Sequence, residues 1–298
     1  MKDFCGLVSI VGRPNVGKST LLNRLIEQKI SITSRKSQTT RNNILGIKTK
    51  DNHQMVFIDT PGVHINASKV MNKVLNQSAI GAIEDADLII FMLQRNKINT
   101  LDELILERLK GVETKKICVI NKLDQVASIN SLLPVVEKLR SENDFAEIIP
   151  VSAKTGKNIN ELENMICQNL PENNHLYDSE TKFLAKESFM ISEIIREKII
   201  RFLGEELPHE TYVQLQKLED KENIINIDAE IIVARESQKG IVVGKNGAKL
   251  KKIGEKARID LEKFFNKKVF LKTWVKTKKN WNNDSDFISS LGIGSLYD

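Results

Sequence analysis

The sequence predicts an α/β domain with a mostly parallel sheet, followed by a smaller α+β domain. In the first half, short runs of β-branched residues alternate with helical patterns, which is typical of a parallel sheet covered by helices on both faces. In the last third, the order changes to helix, strand, strand, helix, helix and strand. A chain of 298 residues is long enough to bury two such cores.

A polar stretch that opens with proline separates the two patterns. Its sequence, PENNHLYDSE at 171–180, has no periodicity and is typical of a linker. We therefore predict a first domain over 1–170, a linker over 171–181 and a second domain over 182–298.

The predicted elements are placed by these patterns. In the first domain, strands are expected at Phe4–Val11, Gln54–Asp59, Asp87–Leu93, Lys116–Ile120 and Ile148–Ser152. Helices are expected there at Ser19–Glu27, Val70–Glu84, Leu101–Lys110, Ile129–Glu142 and Ile159–Asn169. The second domain is expected to contain a helix over Lys182–Leu203, strands at Tyr212–Leu218, Ile224–Ala234 and Val269–Val275, and a helical pair around 244–247.

The composition excludes several classes of protein. With 41% hydrophobic and 28% charged residues, the chain is expected to be soluble and globular. Cys5, Cys118 and Cys167 lie far apart among apolar residues, which favours buried thiols in a reducing, cytoplasmic compartment. The apolar run Leu88–Leu93 is far shorter than the ~20 residues that cross a bilayer, so attachment to a membrane is at most peripheral.

Positive charge is concentrated near the end of the chain. The net charge is +6, but 240–281 alone holds 12 lysines and one arginine against three acidic residues. This segment therefore has a local charge of +10, and the remainder of the chain is mildly acidic. Such a block is expected to face a polyanion, although a lysine-rich solvated surface is the alternative.

A glycine-rich loop follows the first predicted strand. Its sequence, GRPNVGKS at 12–19, matches G-x-x-x-x-G-K-[ST], in which backbone N–H groups and a helix N-terminus surround phosphates. Lys18 is expected to contact the β- and γ-phosphates, and the Ser19 hydroxyl is expected to bind Mg²⁺. The nucleotide contacts predicted here are Gly12, Arg13, Pro14, Asn15, Val16, Gly17, Lys18, Ser19 and Thr20.

Two further motifs end predicted strands. In DTPG at 59–62, Asp59 is expected to hold Mg²⁺ through water, and the Gly62 N–H is expected to meet a γ-phosphate. In NKLD at 121–124, the Asp124 carboxylate can accept hydrogen bonds from guanine N1–H and N2–H₂. Adenine lacks this donor pair, so its rejection can reach roughly 10⁴-fold. The two motifs add Asp59, Thr60, Pro61, Gly62, Val63, Asn121, Lys122 and Asp124 to the predicted nucleotide contacts.

A last motif, VSAK at 151–154, ends the fifth predicted strand. The Ala153 N–H is expected to meet guanine O6. Ser152 and Lys154 flank it and complete the predicted nucleotide site. The ordered set GRPNVGKS, DTPG, NKLD and SAK resembles the translation-factor-like GTPases of the P-loop class.

That resemblance implies a switch that hydrolyses GTP. A threonine within 31–47 closes over the nucleotide and gives Mg²⁺ a second hydroxyl ligand, and alignment with the family selects Thr40. The implied Mg²⁺ residues are Ser19, Thr40 and Asp59, and the implied catalytic residues are Lys18, Thr40, Asp59 and Gly62.

One position departs from the Ras pattern. Val63 stands where Ras-type enzymes carry the glutamine that orients water, so we expect slow hydrolysis. The resemblance implies the subclass in which a loop asparagine, here Asn15, helps to hold K⁺. The alternative is that Asn15 only satisfies the loop backbone. Arg13 and Arg41 are weaker candidates for a positive charge at the reacting phosphate.

A second loop, VGKNGAKL at 243–250, contains similar residues in a different arrangement. Gly244 and Gly247 are three apart and no hydroxyl follows, so it is not a second nucleotide loop. G-x-x-G between two helices is the loop with which KH domains clamp about four nucleotides of single-stranded RNA. We expect base selection in a groove between the following helix and the strand Ile224–Ala234. The predicted RNA contacts are Arg235, Gln238, Gly244, Lys245, Asn246, Gly247, Lys249, Lys251 and Lys252.

A P-loop GTPase followed by one type II KH domain resembles the Era family of bacterial GTPases across essentially the whole chain. The resemblance implies a protein, expected to be monomeric, that binds GTP, GDP and the 3′ region of small-subunit (16S) ribosomal RNA. It also implies a role in assembly and maturation of the small ribosomal subunit.

Two alternatives stay open. One is a regulatory GTPase that couples growth or the cell cycle and places its basic face on the anionic inner membrane. The other is a plain RNA-binding module with a structural nucleotide.

Overall fold

The computed structural model describes residues 2–33, 44–61, 70–203, 210–291 and 293. Its strands are β1 Phe4–Val11, β2 Ile44–Lys50, β3 His53–Asp59, β4 Leu88–Gln94, β5 Lys115–Asn121, β6 Glu147–Pro150, β7 Phe183–Leu184, β8 Thr211–Asp220, β9 Ile224–Val233 and β10 Lys268–Thr277. Its helices are α1 Lys18–Ile26, α2 Val70–Glu84, α3 Thr100–Leu109, α4 Leu133–Glu142, α5 Ile159–Asn169, α6 Glu187–Phe202, α7 Glu236–Val243, α8 Ala248–Phe265 and α9 Ser285–Ser290.

Seven strands form the larger sheet, in the order β6-β5-β4-β1-β3-β2-β7. Strands β1, β3, β4, β5 and β6 are parallel, and the two strands at the other edge, β2 and β7, are antiparallel additions. The carboxyl ends of the five parallel strands therefore meet at one edge of the sheet. The loops that follow β1, β3, β5 and β6 carry the four motifs, so all four lie at that edge.

Apolar side chains cover both faces of this sheet. On one face, α1 and α5 contribute Leu21, Leu25 and Leu162 to a cluster with the strands. On the other face, α3 and α4 contribute Ile105 and Leu139 to a second cluster. The near-continuous apolar run of β4 fits a strand that is buried on both faces. The predicted α/β class, with its mostly parallel sheet, is confirmed.

The smaller sheet has three strands in the order β10-β9-β8. Strands β8 and β9 form an antiparallel pair with an irregularity between Leu215 and Lys217, and β10 lies parallel to β9. Helices α6, α7 and α8 supply Ile195, Val242 and Ala257 to one apolar cluster with these strands. This is the α+β arrangement that the sequence predicts.

Two predicted helices begin later in the structure than expected, and strand β2 was not predicted. The helix predicted over Lys182–Leu203 begins only at Glu187, because Phe183 and Leu184 pair with β2 instead. The helix predicted over Ile129–Glu142 starts with a 3₁₀ turn, and the α-helix begins beside Pro134, whose missing N–H suits a first turn. Strand β2 begins within 31–47, the segment expected to supply the threonine that closes over the nucleotide, and continues to Lys50.

The segment between the two sheets is attached to the first one. Gln54 Oε1 accepts hydrogen bonds from the N–H groups of Leu176 and Tyr177 at 2.8 and 2.9 Å. The Cys5 N–H donates to Pro171 O at 3.2 Å. The predicted linker is thus hydrogen-bonded to β1 and β3, and the division at residues 170 and 182 stays a prediction.

A separate apolar cluster joins the two halves of the chain. Met71 and Leu75 of α2 pack with the buried Trp281 and with Ile288 of α9. Asp284 accepts the Phe287 N–H at 2.9 Å and so caps α9. The segment from Trp281 to Ile288 therefore forms a contact between α2 and the domain of the second sheet.

Candidate functional site

The loop between β1 and α1 can be built only with glycine at its two ends. Gly12 has φ of 154°, and a Cβ there would lie 2.6 Å from Met92 O. Gly17 has φ of 107°, and a Cβ there would lie 2.4 Å from Asn121 Nδ2. Among the described residues no side chain caps α1, so its first N–H groups stay available to an anion.

Lys18 is buried at the base of this loop. Its ammonium group donates to Gly12 O at 3.0 Å and lies 3.4 Å from Arg13 O. Burial lowers the pKa of Lys18 from its ordinary 10.5 to about 8, and the Asp59 carboxylate offsets part of this effect. A polyphosphate beside Lys18 would favour the charged form and raise its pKa again.

Hydroxyl and carboxylate oxygens converge next to Lys18. Ser19 Oγ donates to Asp59 Oδ2 at 2.7 Å, and Ser31 Oγ donates to the same oxygen at 2.8 Å. Asp59 is fully buried at the end of β3. The next residue, Thr60, is held in place because its Oγ1 donates a hydrogen bond to Ile10 O at 2.8 Å. Hard oxygen donors of this kind suit Mg²⁺, so Ser19 and Asp59 fit the metal that the sequence implies.

Several predicted residues lie outside the part of the chain that the structure describes. They are Thr40, Arg41, Gly62 and Val63. Pro61, directly before Gly62, is buried. In the glycine loop, Val16 is buried and Pro14 is half-buried.

The base-recognition motifs hold one another in place. Asn121 Nδ2 donates to Val16 O at 2.8 Å, and Asn121 Oδ1 accepts the Ala153 N–H at 3.0 Å. Ser152 Oγ donates to the exposed Asp124 carboxylate at 2.6 Å, which orients it. Since the Ala153 N–H already has an acceptor, guanine O6 would have to share it, and its role stays a prediction.

Two cations near the loop have partners that the sequence did not indicate. Lys122 Nζ donates to Asn15 O at 2.7 Å and to Gln94 Oε1 at 2.6 Å, so it connects the glycine loop to NKLD. Arg13 Nε donates to Asp102 Oδ2 at 3.0 Å. Asp102 is fully buried in the first turn of α3, so this pair fixes the Arg13 side chain against α3.

An open cleft of about 880 Å³ lies where these groups meet. Its walls include Gly17, Thr20, Asn121, Asp124 and Lys154, which are all in the predicted set. Arg24 of α1 supports the last of them, because its guanidinium donates to Lys154 O at 2.7 Å and to Ala153 O at 3.2 Å. The cleft also includes Ile200 and Arg201 of α6, which the sequence did not indicate.

The second glycine loop turns between α7 and α8. Gly244 has φ of 71° and Gly247 has φ of 77°, and only Gly247 would have open space around an added Cβ. Lys245 and Asn246 are exposed at the tip, and Lys249 is half-buried. Helix α8 begins directly after Gly247 without a side-chain cap among the described residues, so its N-terminus faces outward as a second anion site.

One predicted RNA contact lies in a buried helix cap, and its role in RNA binding stays a prediction. Gln238 is buried, accepts the Arg235 N–H at 2.9 Å and donates to Glu210, so it caps α7 instead of facing solvent. Glutamine at the third helical position is the signal that could have identified this role. Arg235, Lys251 and Lys252 are exposed, as an RNA contact requires.

The structure adds a second candidate for the wall of the predicted groove. We expected β9 to form this wall, and β9 is the central strand, which pairs on both sides. Strand β10 is an edge strand of this sheet in the described residues and contacts α7 and α8, so it can also form the wall. Parallel pairing of β10 with β9 was not apparent from the spacing of the strands.

The fold and the two loops define a P-loop GTPase that is joined to a KH domain. Comparison with known families agrees: the family described as 50S ribosome-binding GTPase matches residues 7–122, and the KH domain family matches residues 206–282. No helix in the described ranges is long and apolar enough to cross a bilayer.

Curated relatives match along nearly the whole chain. GTPase Era of Coxiella burnetii (strain RSA 493 / Nine Mile phase I) is 46% identical over 97% of this chain and 98% of its own length. GTPase Era of Actinobacillus pleuropneumoniae serotype 5b is 44% identical over 98% of this chain and 96% of its own length. The chain therefore belongs to the Era family of GTPases.

Two solved structures extend the match to three dimensions. An Era variant from Aquifex aeolicus bound to GDP·AlF₄⁻ is 35% identical, with a TM-score of 0.94 over 98% of this chain and 99% of that one. Era in complex with MgGDPNP and nucleotides 1506–1542 of 16S ribosomal RNA is 36% identical, with a TM-score of 0.94 over 97% and 99%. The predicted fold, family and GTPase activity are thus confirmed.

Proposed function

We propose that this chain is a GTP-hydrolysing switch that binds the 3′ region of small-subunit (16S) ribosomal RNA and assists assembly and maturation of the small subunit. The observation that carries the proposal is the presence of a guanine-nucleotide cleft and an exposed basic G-x-x-G loop in one chain. A relative that is 36% identical was solved with MgGDPNP and 16S ribosomal RNA bound together, which supports the same pairing here. The protein is proposed to act as a cytoplasmic monomer.

The glycine loop is proposed to bind the phosphates. The backbone N–H groups between Gly12 and Thr20, to which Pro14 contributes none, and the Lys18 ammonium would surround the β- and γ-phosphates, where charge develops as the terminal phosphoryl group leaves. The Asp124 carboxylate selects guanine, and the 2.6 Å bond from Ser152 keeps it oriented. Arg13, which is fixed by its bond to Asp102, is proposed to belong to the same nucleotide site.

Ser19, Asp59 and Thr40 are proposed to hold Mg²⁺, of which Thr40 lies outside the described residues. The metal would neutralise charge on the phosphate oxygens. In the structure as it stands, Asp59 accepts both Ser19 and Ser31 through one oxygen. When nucleotide and Mg²⁺ bind, the hydrogen bonds from the two serine hydroxyls to Asp59 would therefore be replaced by contacts to the metal. Asp59→Asn is expected to abolish turnover and leave RNA binding without nucleotide unchanged, which also tests the plain RNA-binding alternative.

Asn15 is proposed to help hold K⁺. It is exposed at the tip of the glycine loop with φ of 66°, and its carbonyl oxygen accepts Lys122. The side chain is thereby presented to the cleft mouth from a fixed backbone. GTP turnover should be faster in K⁺ than in Na⁺ buffer, and Asn15→Ala should remove the difference. Equal rates in the two buffers for the unaltered chain would contradict this role.

The exposed turn Lys245–Gly247 is proposed to clamp single-stranded RNA. The N–H groups of α8 and the side chains of Lys245 and Lys249 would neutralise the RNA phosphates, while the edge of β10 and α8 contact bases. The lysines could also face anionic lipid, which is the membrane alternative. A competition experiment distinguishes RNA from lipid as the ligand of this surface. RNA should displace the protein from anionic vesicles only if RNA and lipid bind the same surface. Vesicle binding that persists in Lys245→Glu would favour a membrane contact elsewhere on the protein.

Coupling between the two sites is proposed to pass through α2. This helix follows the DTPG segment and packs by Met71 and Leu75 against Trp281 and Ile288. A γ-phosphate that reorders DTPG would shift α2 and, with it, the domain that carries the G-x-x-G loop. RNA affinity is therefore expected to be higher with a GTP analogue than with GDP. Equal affinity would refute coupling, since a ligand without differential affinity shifts no equilibrium.

A further inference from the structure

One wall of the nucleotide cleft comes from the second half of the chain. The cleft that contains Asn121, Asp124 and Gly17 is closed on another side by Ile200 and Arg201. Both belong to the last turn of α6, the first helix of the KH part. None of the four nucleotide motifs includes either residue.

A buried carboxylate holds Arg201 in this position. Glu197, one turn earlier on α6, is fully buried and accepts Arg201 Nη2 at 2.9 Å. The same carboxylate accepts Lys198 at 2.9 Å and Lys29, from the segment that follows α1, at 2.7 Å. Burial alone would raise the pKa of Glu197, but the hydrogen bonds from Lys29 and Lys198 hold it below its ordinary value. Glu197 therefore stays charged and fixes α6 against the nucleotide-binding half.

The guanidinium of Arg201 has capacity for a further ligand. Its side chain is about half exposed, and a guanidinium carries five N–H donors in a rigid planar fork. The bond to Glu197 uses a donor of one terminal nitrogen, so the remaining N–H donors of this cleft-lining side chain can bind a ligand. A nucleoside diphosphate or triphosphate offers anionic oxygens, which are the acceptors that arginine binds best.

We propose that Arg201 binds the guanine nucleotide directly, so that the KH half of the chain completes a site formed by the GTPase half. This inference rests on the proposed nucleotide-binding function. The two solved relatives with bound nucleotide match both halves of this chain at a TM-score of 0.94, so the same mutual position of the halves occurs in nucleotide-loaded proteins.

The same turn of α6 also touches the RNA-binding side. Lys252 of α8 lies over the ring of Phe202 at 5.4 Å, and Asp260 of α8 pairs with Lys198. Arg201 thus lies on a helix whose neighbouring residues, Lys198 and Phe202, contact α8. Nucleotide that binds Arg201 would therefore act on the position of α6. This gives a second connection between the nucleotide site and the RNA site, besides the one through α2.

The test is the affinity of the full chain for GDP and for a non-hydrolysable GTP analogue, measured by calorimetry. Arg201→Ala should weaken both by roughly threefold to tenfold, the range for a half-exposed charged hydrogen bond, and Arg201→Lys should lie between. Arg258→Ala is the matched control. Arg258 on α8 makes the same i,i+4 pair with Glu262 at 2.8 Å and is 43% exposed, but does not line the cleft.

A second variant guards against a folding artefact. Lys29→Ala removes a half-exposed partner of Glu197 and should weaken nucleotide binding, but it should add little to Arg201→Ala because both act through the same contact. Thermal unfolding of each variant should match that of Arg258→Ala.

Three results are decisive. Wild-type affinity in Arg201→Ala, or fully additive losses in the double variant, would overturn the inference while the nucleotide function stands. Failure of the unaltered chain to bind nucleotide would overturn the proposed function and this inference together.

Discussion

The two glycine loops use the same residue types but differ in what surrounds them. Each ends in a left-handed glycine, Gly17 or Gly247, and each is followed at once by a helix without a side-chain cap among the described residues. In the first loop an added Cβ at Gly17 would strike the buried Asn121, and Lys18 is buried. In the second, Gly247 has open space around it and Lys245 is exposed.

That difference accounts for two kinds of phosphate binding. A closed loop with a desolvated lysine can enclose one short polyphosphate and stabilise charge on it, as hydrolysis requires. An open loop with solvated lysines can only neutralise a backbone that passes over it, as RNA binding requires. Glycine and lysine content alone therefore does not identify the ligand; the packing around the glycines does.

The largest expected effect concerns recognition of the guanine base by the nucleotide site, which contains the closed loop. Asp124→Asn should weaken GTP and GDP binding by roughly 10³- to 10⁴-fold, because the carboxylate that pairs with guanine N1–H and N2–H₂ is lost. Xanthine nucleotides carry an oxygen at C2 that can accept a hydrogen bond from the new amide. They should therefore bind the Asp124→Asn variant better than they bind the unaltered chain. RNA affinity without nucleotide should not change. Titration of both proteins with GDP and with XDP measures this change in base preference. Unchanged GDP affinity in the variant would show that Asp124 does not bind the base.

A smaller effect contrasts the two glycines directly. Gly17→Ala should destabilise the protein by about 3 kcal/mol and abolish tight nucleotide binding, because left-handed backbone strain adds to the loss of the bonds that Asn121 makes. Gly247→Ala carries the backbone strain alone, so it should cost about 1 kcal/mol and leave nucleotide affinity intact. Chemical denaturation and GDP titration of both variants would show whether the two glycines differ; equal losses would refute the contrast.

The smallest effect concerns the buried lysine. Without nucleotide the pKa of Lys18 is about 8, and bound phosphate raises it, so binding above pH 8 takes up a proton. Nucleotide affinity should therefore fall as pH rises above about 8, by up to about tenfold per unit, and should be flat with respect to this group below that pH. Calorimetry at pH 8.5 in buffers of different ionisation enthalpy measures the uptake. No uptake, with a Lys18 Nζ resonance that titrates near 10.5 in the free protein, would contradict the account.

Much of the architecture could be predicted because the local signals agree. The strand Phe4–Val11 and the helices Val70–Glu84 and Ile159–Asn169 have the predicted limits, since β-branched runs and apolar periodicity coincide there with clear turn residues. Motifs at strand ends were predictable for the same reason. They come together because parallel strands share one edge.

The parts that sequence reasoning missed depend on tertiary contacts. Strand β7 has two residues and exists only because β2 offers it an edge. Arg201 reaches the nucleotide cleft through the docking of α6, for which the sequence has no local signal. Gln238 and Asp284, by contrast, stand at recognisable helix-capping positions, so their structural roles could have been found.

The most direct test of the central claim substitutes the open glycine with two residues of nearly the same shape. Gly247→Asp and Gly247→Asn impose the same backbone cost, since both residues tolerate left-handed φ, but only aspartate adds a negative charge beside the RNA phosphates. Binding of a single-stranded RNA from the 3′ end of 16S ribosomal RNA would be measured for each, loaded with a GTP analogue or with GDP. The account predicts tight binding with the GTP analogue in the unaltered chain, a modest loss in Gly247→Asn and a loss of at least about tenfold more in Gly247→Asp, with GDP affinity equal in all three. Equal RNA binding by the aspartate and asparagine variants would show that the loop does not hold the RNA backbone, and the assignment of the two loops to different phosphates would fall.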